Sequence, residues 1–439
     1  MQKYMKLFCM SCLITMTMFS AMATDDQLSI ARQVMKAKRP VTKVMADEYM
    51  SVYVQRGGGF VVMTADKQSP RVLAYSTSAT LQPGSYNPGF NWWLRSIGQA
   101  LQSKKGQLVK TTKPDLERFA PSIDPLTTSL WGQRAPFNYM CPLNSYYTDY
   151  SLYGTYQPDM AHYVVGCVAT AMAQYMYYYR FPKHGVGQDS IIVKYPIEGQ
   201  SSSYTNNVVC SVDFENSVYD WDNMIDDYQG DYTPQQGEAV AKLCYHCGVA
   251  AQTVYNSLGA GSNDSKCLEA FRKHFNYNDT AHFIVRTNYD EPEWMEMVYT
   301  ELNNSHPIFY SGKDINVGAG IFTGHNFIID GYDENGLVHV NWGWYGLENG
   351  YFDIALLDVN IYTYDDWQAM YVGLYPNQEH IVGDLDGSGI VDIDDLNIVI
   401  NIILGYTNAE QYGNSAFITD DDIVDIEDVN AIINIILKQ

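Results

Sequence analysis

Residues in the middle of the chain have the types and spacing that thiol catalysis needs. Cys167 follows Gly166 and opens a run of helix-forming residues that ends near Phe181-Pro182. A cysteine at a helix N-terminus lies next to unpaired N–H groups and the positive end of the helix dipole, which favour the thiolate. Taken alone, such a cysteine is more often a buried small residue, so the assignment depends on finding a partner base.

His325 is the candidate base. Glycine precedes it and clears space, and a buried-looking strand, Phe327 to Gly331, follows it and fixes the backbone. Three others of the nine histidines have ordinary structural explanations. His184 lies in a glycine-flanked loop, His246 on a helix and His339 in an alternating strand.

A predicted hairpin completes the site. After a turn at 333–336 the chain returns as a second strand, Leu337 to Trp342, antiparallel to the first. We expect Asn341 to come back beside His325 and to hold the imidazole in the tautomer that faces the cysteine, as the third group of a catalytic triad does. We expect Trp342 to cover that hydrogen bond from water.

Composition and charge limit the class of protein. A chain of 439 residues exceeds what one hydrophobic core usually organises, so we expect two or three domains. Hydrophobic residues make 46% and charged residues 18%, which is typical of a globular protein. The net charge of −23 argues against nucleic acid or an anionic membrane as a partner, because both need a basic face.

The first 23 residues have the pattern of a secretory signal peptide. Lys3 and Lys6 precede an apolar run from Leu7 to Met22, which is closed by the small-x-small triplet Ala21-Met22-Ala23. The run is about 16 residues long, short of the roughly 20 that a spanning helix needs. Cys12 offers lipid attachment as an alternative, but the small residues usual before such a cysteine are absent. The pattern predicts a secreted or cell-surface protein without a membrane span.

Two large blocks follow the signal. Residues 24–121 predict a helix, a glycine-flanked strand pair (Gly57 to Ala65 and Pro70 to Tyr75) and an amphipathic helix from Asn91 to Gln102, before a lysine-rich polar stretch that a protease can reach. Residues 122–376 carry every candidate nucleophile and form one domain or two packed lobes.

The final block, residues 383–439 after a linker at 377–382, holds 12 of the 50 acidic residues and one lysine. Its charge is spaced like a calcium loop, with Gly389 at the sharp turn. The six ligand positions are Asp384, Asp386, Ser388, Ile390 through its main-chain carbonyl, Asp392 and Asp395. A second loop and helix repeat the unit about thirty residues on. That copy has Phe417 at its first position and Asp422 where glycine belongs, so we expect Ca²⁺ in the first loop only.

Cys244 and Cys247 have the spacing of a redox motif but lie in a helical-looking stretch without a preceding strand. One pair at this spacing also cannot supply four zinc ligands. We therefore expect buried free thiols.

Motifs across the central block resemble the streptopain family of cysteine peptidases. They include Gly166-Cys-Val-Ala-Thr-Ala171, Gly324-His-Asn-Phe-Ile-Ile-Asp-Gly331, Val340-Asn-Trp-Gly-Trp344 and Trp131-Gly-Gln133. The resemblance implies that Cys167 is the nucleophile and His325 the base. It implies further that Asn341 is the orienting residue, Trp342 its cover and Gln133 the oxyanion donor. The fold implied is α+β, with a papain-like two-lobed peptidase domain between an α+β inhibitory propeptide and a small helical calcium-loop domain.

The resemblance has further implications. Gly58 to Asp66 and Phe90-Asn-Trp-Trp93 look like the family's inhibitory propeptide, so the chain is expected to be a zymogen. The groove is expected to prefer an apolar side chain one residue before the scissile one, with Tyr255 to Ser262 as a candidate wall. The family's glycine-rich rim loop is replaced by the glycine-free stretch 353–366, which should alter substrate access.

The final block resembles a type I dockerin, a module that binds calcium and docks onto a cohesin. The resemblance implies Ca²⁺ in this block and a cohesin-like or cell-surface partner, while catalysis needs no cofactor.

These observations predict a secreted cysteine endopeptidase that is made as a zymogen and hydrolyses peptide bonds of protein substrates through a thioester. Two alternatives remain: an amidase or transglutaminase-type acyltransferase with the same triad, and a non-catalytic docking or adhesion protein.

Overall fold

The structure, a computed structural model, describes the chain in segments. These are residues 25–66, 70–81, 84, 86–103, 113–115, 117–144, 162–196, 205–256, 259–316, 321–357, 366–377, 383–385, 391–409, 418–419 and 423–437. The chain divides into two compact units, residues 1–375 and 376–439. The expected signal peptide and three predicted calcium ligands, Asp386, Ser388 and Ile390, lie outside the described residues.

The N-terminal block (residues 25–103) forms four strands flanked by two helices. They are α1 (Asp25–Val34), β1 (Val41–Ala46), β2 (Met50–Gln55), β3 (Phe60–Thr64), β4 (Val72–Ser76) and α2 (Pro88–Ser103). The predicted strand pair and amphipathic helix are present as β3, β4 and α2. Helix α2 buries an apolar face that includes Phe90, Trp93, Ile97 and Leu101, at the three- and four-residue spacing of a helix stripe.

The rest of the first unit is a mixture of helices and strands. The helices are α3 (Cys167–Tyr179), α4 (Pro234–Ala250), α5 (Asp264–Phe275) and α6 (Glu291–Asn303). The strands are β5 (Gln188–Pro196), β6 (Thr205–Asp213), β7 (Val254–Asn256), β8 (Gly259–Gly261), β9 (His282–Val285), β10 (Ile308–Asn316), β11 (Ile321–Tyr332), β12 (Val338–Asn341), β13 (Gly350–Phe352) and β14 (Asp366–Val372).

One ten-stranded sheet runs through both parts of this unit. Its order is β1-β2-β3-β4-β13-β12-β11-β10-β14-β9, while β5–β6 and β7–β8 form separate two-stranded sheets. The junction is the antiparallel pairing of β4 with β13, in which Tyr351 lies opposite Tyr75 and Phe352 opposite Ala74. The two tyrosine rings stack with centroids 5.1 Å apart. The N-terminal block therefore continues the sheet of the central block.

Two apolar cores correspond to two halves of the central block. One surrounds α3, α4 and α5 and contains the buried face of α3. The other lies between the sheet and helices α2 and α6, and it mixes residues of the N-terminal block such as Trp93 with sheet residues such as Trp342 and Phe352. Phe352 packs edge-on against Trp93 with ring centroids 5.0 Å apart. The second core is thus shared by the two blocks.

The local predictions around the candidate residues are confirmed. Helix α3 begins at Cys167 and ends at Tyr179, and Arg180 caps it in a left-handed conformation. Strands β11 and β12 form the predicted hairpin. Cys244 and Cys247 are buried free thiols on α4.

The second unit contains two helices, α7 (Ile393–Ile403) and α8 (Ile426–Ile436), which begin in the same way. Asp392 and Asp425 cap the two helices, and each forms a capping box with an aspartate three residues later, Asp395 and Asp428. The predicted duplication of a loop and helix is visible in these matched helix starts. In the described part of the chain, no helix has the length and apolar run that crossing a bilayer demands.

The ion pair between Arg71 and Asp353 is a strong tie between the blocks. The Asp353 side chain is fully buried and that of Arg71 is 20% exposed. Arg71→Ala removes the cation from a buried carboxylate, which typically costs about 3–5 kcal/mol. In a Cys167→Ala background, we expect trace trypsin or chymotrypsin to cut the N-terminal block at least about tenfold faster.

Arg118→Ala is the matched control, because the Arg118–Glu296 pair is more than half exposed on both sides. Such pairs contribute little, so its cleavage rate should stay near that of the parent. Equal rates for the two variants would contradict the assigned role of Arg71.

Candidate active site

Cys167 lies at the first position of α3, half-buried. Gly166 before it has φ 89°, and a Cβ there would lie 2.7 Å from the main-chain oxygen of Ala260. Only glycine fits this close approach and this conformation. The β7–β8 hairpin therefore lies against the entrance to the helix, close to the thiol.

The groups around Cys167 have opposite effects on the pKa of its thiol. Burial is the largest cause that raises the pKa of Cys167, and the Asp264 carboxylate adds to the rise. The main-chain N–H groups of Asn326, Val168 and Cys167 itself lower this pKa. Because the pKa is raised overall, the thiol is held in its neutral form in this arrangement.

His325 lies on β11 and is 2% exposed. Its Nε2 donates to the main-chain oxygen of Trp342 at 2.7 Å, since a carbonyl oxygen can only accept. Burial lowers the pKa of His325 to about 4, although the bond to the Trp342 carbonyl acts in the opposite direction. Cys167 and His325, both described, form no hydrogen bond with each other. The two groups lie in one region without being engaged as a pair.

Helix α2 of the N-terminal block covers His325. A Cβ on Gly89 would lie 2.4 Å from Cδ2 of His325 and equally close to the Trp342 ring, so the helix backbone packs directly on both rings. One turn later, Trp92 packs on Gly312, which is the strand partner of His325. The N-terminal block therefore causes the burial that keeps the imidazole neutral.

The expected hydrogen bond between Asn341 and His325 is not formed. Strand register places Asn341 opposite Ile328, and its Nδ2 donates to the main-chain oxygen of Ser129 at 2.7 Å and to Thr127 Oγ1 at 3.3 Å. Its Oδ1 accepts from the Gly343 N–H. These contacts occupy the Asn341 amide in this structure, and its role as the group that orients the imidazole stays a prediction.

Trp342 is buried against His325, with ring centroids 6.3 Å apart. Its indole N–H donates to the Glu348 carbonyl and its main-chain N–H to Asn349 Oδ1, so the residue is fixed at both ends. The predicted position beside the histidine is found. The contact that holds the imidazole comes from the Trp342 carbonyl, which sequence patterns do not reveal because every residue has one.

Gln133 lies beside the segment that leads into α3. Its main-chain oxygen accepts from Val165 N–H at 3.0 Å, and the residue is buried. Its side chain forms no hydrogen bond with another described residue. The role of Gln133 as the oxyanion donor stays a prediction.

Part of the candidate wall, Tyr255 to Ser262, lies at the site. The main-chain oxygen of Ala260 lies against Gly166, the residue directly before Cys167. Tyr255 is 4% exposed and points into the core, with its hydroxyl 3.8 Å from Cys141 Sγ. It therefore does not line the surface. Of the rim stretch 353–366, residues 358–365 lie outside the described residues, and residues 354–357 are buried.

Three residues near the thiol were not predicted. Asp264 accepts from Asn326 Nδ2 at 3.1 Å and forms an ion pair with Lys313. Asn326 follows His325 directly, and a polar residue entering an apolar strand is the one sequence signal that points to a buried partner. Asp264 and Lys313 have no comparable signal, because only the fold brings them together.

Two family models match this chain. The family model of the Peptidase C10 family matches residues 131–352, and that of the Spi protease inhibitor matches residues 15–101. Streptopain of Streptococcus pyogenes is 27% identical over 339 residues, which are 74% of this chain and 81% of streptopain. The thiol protease/hemagglutinin PrtT of Porphyromonas gingivalis is 25% identical over 316 residues, 68% of this chain and 33% of that protein.

Two solved structures from Prevotella intermedia are similar as well. A prointerpain A fragment, solved as a cysteine-to-alanine mutant, has a TM-score of 0.64 and 34% identity and covers 76% of this chain and 98% of that chain. Active wild-type interpain A has a TM-score of 0.50 and 36% identity and covers 60% of this chain and 100% of that chain. The papain-like peptidase fold with an N-terminal inhibitor domain is confirmed.

Acid should destabilise the first unit through His325. Its pKa is about 4 when folded and about 6.5 in an unfolded chain, so the unfolded state binds the proton first as pH falls. The stability contribution is complete above pH 6.5 and is lost progressively toward pH 4, by up to about 3 kcal/mol. The loss should be absent in His325→Gln.

Urea unfolding of the Cys167→Ala protein, followed by tryptophan fluorescence, measures this loss, since all eight tryptophans lie in the first unit. Between pH 6.5 and 4, the free energy of unfolding should fall more steeply in this protein than in the same protein carrying His325→Gln. Parallel curves for the two proteins would refute the buried neutral histidine.

Proposed function

Since this chain belongs to the Peptidase C10 family and is a cysteine-type endopeptidase, we propose that Cys167 is its nucleophile and His325 its general base. The observation that carries this proposal is the packing of β11 on the start of α3. It places Asn326, the residue next to His325, close enough to Cys167 for its main-chain N–H to lower the pKa of the thiol.

The proposed reaction is acyl transfer in two steps. The Cys167 thiolate attacks the peptide carbonyl carbon, and Gln133 and the Cys167 N–H donate to the oxyanion. The C–N bond then breaks as His325 protonates the leaving amine. Water, deprotonated by His325, next attacks the thioester, and the C–S bond breaks to release the acid and restore the thiol.

Activation requires His325 to engage Cys167, with which it forms no hydrogen bond in this structure. Removal of the N-terminal block, which is the inhibitory propeptide, exposes the imidazole and relieves the burial that lowers its pKa. A more basic imidazole can take the Cys167 proton, which the buried one cannot. We therefore propose two causes of latency: the N-terminal block covers the site, and the Cys167 thiol and the His325 imidazole are both neutral.

Secretion is part of the proposal and is supported by the signal-like pattern of residues 1–23. A peptidase that is exported needs a latent form inside the cell, which agrees with the inhibitor domain. An amidase or transglutaminase-type reaction with the same residues is not favoured, because the family is one of peptidases. An apolar preference one residue before the scissile one stays a prediction.

Cys167→Ala should abolish peptide hydrolysis and leave the full-length protein uncleaved. Cys210→Ala is the matched control, because Cys210 is also a half-buried thiol with a raised pKa but lies on β6. Mass spectrometry after reducing activation should show maturation and epoxide labelling of one thiol, Cys167, in the parent and in Cys210→Ala. Self-maturation of purified Cys167→Ala would overturn self-processing by this residue.

We further propose that the first loop of the second unit binds Ca²⁺. The predicted ligands are all oxygens, which this cation prefers, and Asp384 and Asp395 are buried together at this loop. Asp395 also accepts from the Leu385 and Asp392 N–H groups. The described segments hold no group of three His, Cys, Asp or Glu side chains placed for a metal ion, and three of the six predicted ligands lie outside them.

The second loop differs in its aspartate. Oδ1 of Asp428 accepts from the N–H groups of Ile418 and Thr419 and lies 3.2 Å from the Thr419 hydroxyl, so this oxygen is occupied. In the first loop, Oδ1 of the matching Asp395 accepts from the Leu385 N–H. The second loop also has Phe417 at its first position, so we propose one Ca²⁺, in the first loop.

The cohesin-like or cell-surface partner stays a prediction, supported by a repeated apolar stripe. Ile393, Ile400 and Leu404 on and after α7 are exposed, and Ile426, Ile433 and Leu437 repeat them on and after α8. A doubled apolar surface on a small acidic unit is typical of a protein-docking module.

Calorimetric titration of the full-length Cys167→Ala protein should show about one equivalent of Ca²⁺ bound. Asp395→Asn should abolish this binding, whereas the matched change Asp428→Asn should leave it within about threefold. Binding that survives Asp395→Asn, or is lost only with Asp428→Asn, would refute the assignment to the first loop.

A further inference from the structure

A partly buried ion pair lies beside the Cys167 thiol and has no part in the reaction described above. Asp264, the first residue of α5, is 5% exposed, and its Oδ2 is bonded to Nζ of Lys313 on β10. Its Oδ1 accepts from Asn326 Nδ2 on β11 at 3.1 Å. Its main-chain oxygen accepts from the Tyr371 hydroxyl on β14 at 2.7 Å. One residue thus connects the start of a helix to three strands next to the thiol.

Asn326 carries this connection to the nucleophile. Its side chain is held by Asp264, its main-chain N–H is close enough to Cys167 to lower the pKa of the thiol, and the preceding residue is His325. The residue is 4% exposed, so its amide needs a protein partner, and Asp264 provides it. The position of the peptide between His325 and Asn326 therefore depends on Asp264.

Lys313 is fixed as the counter-charge. Its aliphatic chain covers Gly324, where a Cβ would lie 2.7 Å from Lys313 Cγ, and its ammonium lies 4.4 Å from the centre of the Trp367 ring. Gly324 directly precedes His325, so the lysine also covers the backbone that enters the site. Among the described residues, Lys313 is the cation that faces Asp264.

The other titratable groups around Asp264 are two thiols and a phenol. The Asp264 carboxylate raises the pKa of Cys167 and of Cys267, and Lys313 lowers that of Cys267. The Tyr371 phenol, whose pKa is raised by burial, stays neutral. A balanced pair is thus compatible with a thiolate nearby, while a lone carboxylate opposes it.

We propose that Asp264 is a positioning residue for the nucleophile in the mature enzyme: with Lys313 as its counter-charge, it holds the Asn326 N–H against the Cys167 sulfur. This inference rests on the proposed role of Cys167. The N–H donor stabilises the thiolate when it forms, and the ion pair lets an anchoring carboxylate lie close to it.

Three variants of the mature enzyme separate anchoring from charge. Asp264→Ala removes both the acceptor for Asn326 and the negative charge. Asp264→Asn keeps the acceptor and removes the charge, whereas Lys313→Met leaves the Asp264 carboxylate without its counter-charge. Lys266→Met is the matched control, because its ion pair with Glu269 lies on the same helix and is about half exposed. The measurements are kcat, KM, and the rate of iodoacetamide alkylation of Cys167 against pH.

Asp264→Ala should lower kcat about tenfold or more with KM changed less than about twofold, because the nucleophile loses its donor. Asp264→Asn should keep kcat within about threefold of the parent and move the alkylation midpoint to lower pH. Lys313→Met should move the midpoint to higher pH, and Lys266→Met should change neither quantity. If Asp264→Ala does not fold, the opposite shifts of the other two variants still decide the proposal.

A folded Asp264→Ala enzyme with parental kcat would overturn the proposal, and so would equal alkylation midpoints in Asp264→Asn and Lys313→Met. Faster maturation of Asp264→Ala with unchanged mature kinetics would also overturn it, because the contact would then serve only the zymogen. A parent enzyme whose peptidase activity survives Cys167→Ala would instead refute the proposed function itself.

Discussion

The hydrogen-bonded pairing of β4 with β13 makes the inhibitory block and the peptidase parts of one sheet. The pairing is short, but side chains reinforce it: Trp93 donates to the Asp353 carbonyl at 3.0 Å, and Arg71 pairs with the Asp353 carboxylate. Because the sheet is continuous, α2 packs on the same layer that carries His325. The contacts that complete the apolar core are therefore also the contacts that close the active site.

Latency in this arrangement has an electrostatic part as well as a steric one. A working thiolate–imidazolium pair needs a thiol of low pKa beside an imidazole of higher pKa. Burial shifts both pKa values away from this condition, because it raises the pKa of Cys167 and lowers that of His325. Burial thus disfavours both charged forms together, and at His325 helix α2 of the N-terminal block contributes to that burial.

Elements with a strong local signal could be predicted from the sequence. The helix that begins at Cys167, the β11–β12 hairpin and the amphipathic α2 each depend on periodicity or turn residues within a short window. The pairing of β4 with β13 could not be predicted, because strands far apart in sequence carry no mark of their neighbours. Family resemblance supplied the inhibitory role of the first block without indicating that it shares a sheet with the peptidase.

The same limit applies to the site. Cys167, His325 and Trp342 are found where their motifs placed them, since the motifs encode local backbone. Asn341 does not meet His325 in this structure, because a register difference of a few residues decides which side chains meet across a hairpin. The contacts of Asp264 and of the Trp342 carbonyl depend on tertiary packing or on the main chain, and neither has a sequence pattern.

Release of the N-terminal block has a consequence for β13. An interior strand becomes an edge, with unpaired N–H and C=O groups and with Phe352 losing its Trp93 and Phe60 neighbours. Exposed edges of this kind template intermolecular strand addition, the route by which sheets from different molecules aggregate. At three residues, Gly350–Phe352 is at the short end of strand lengths, and very short edge strands limit such addition. Side-chain contacts hold the block at the β4–β13 junction in the latent protein. After release, the short strand leaves the activated molecule little exposed edge through which to associate.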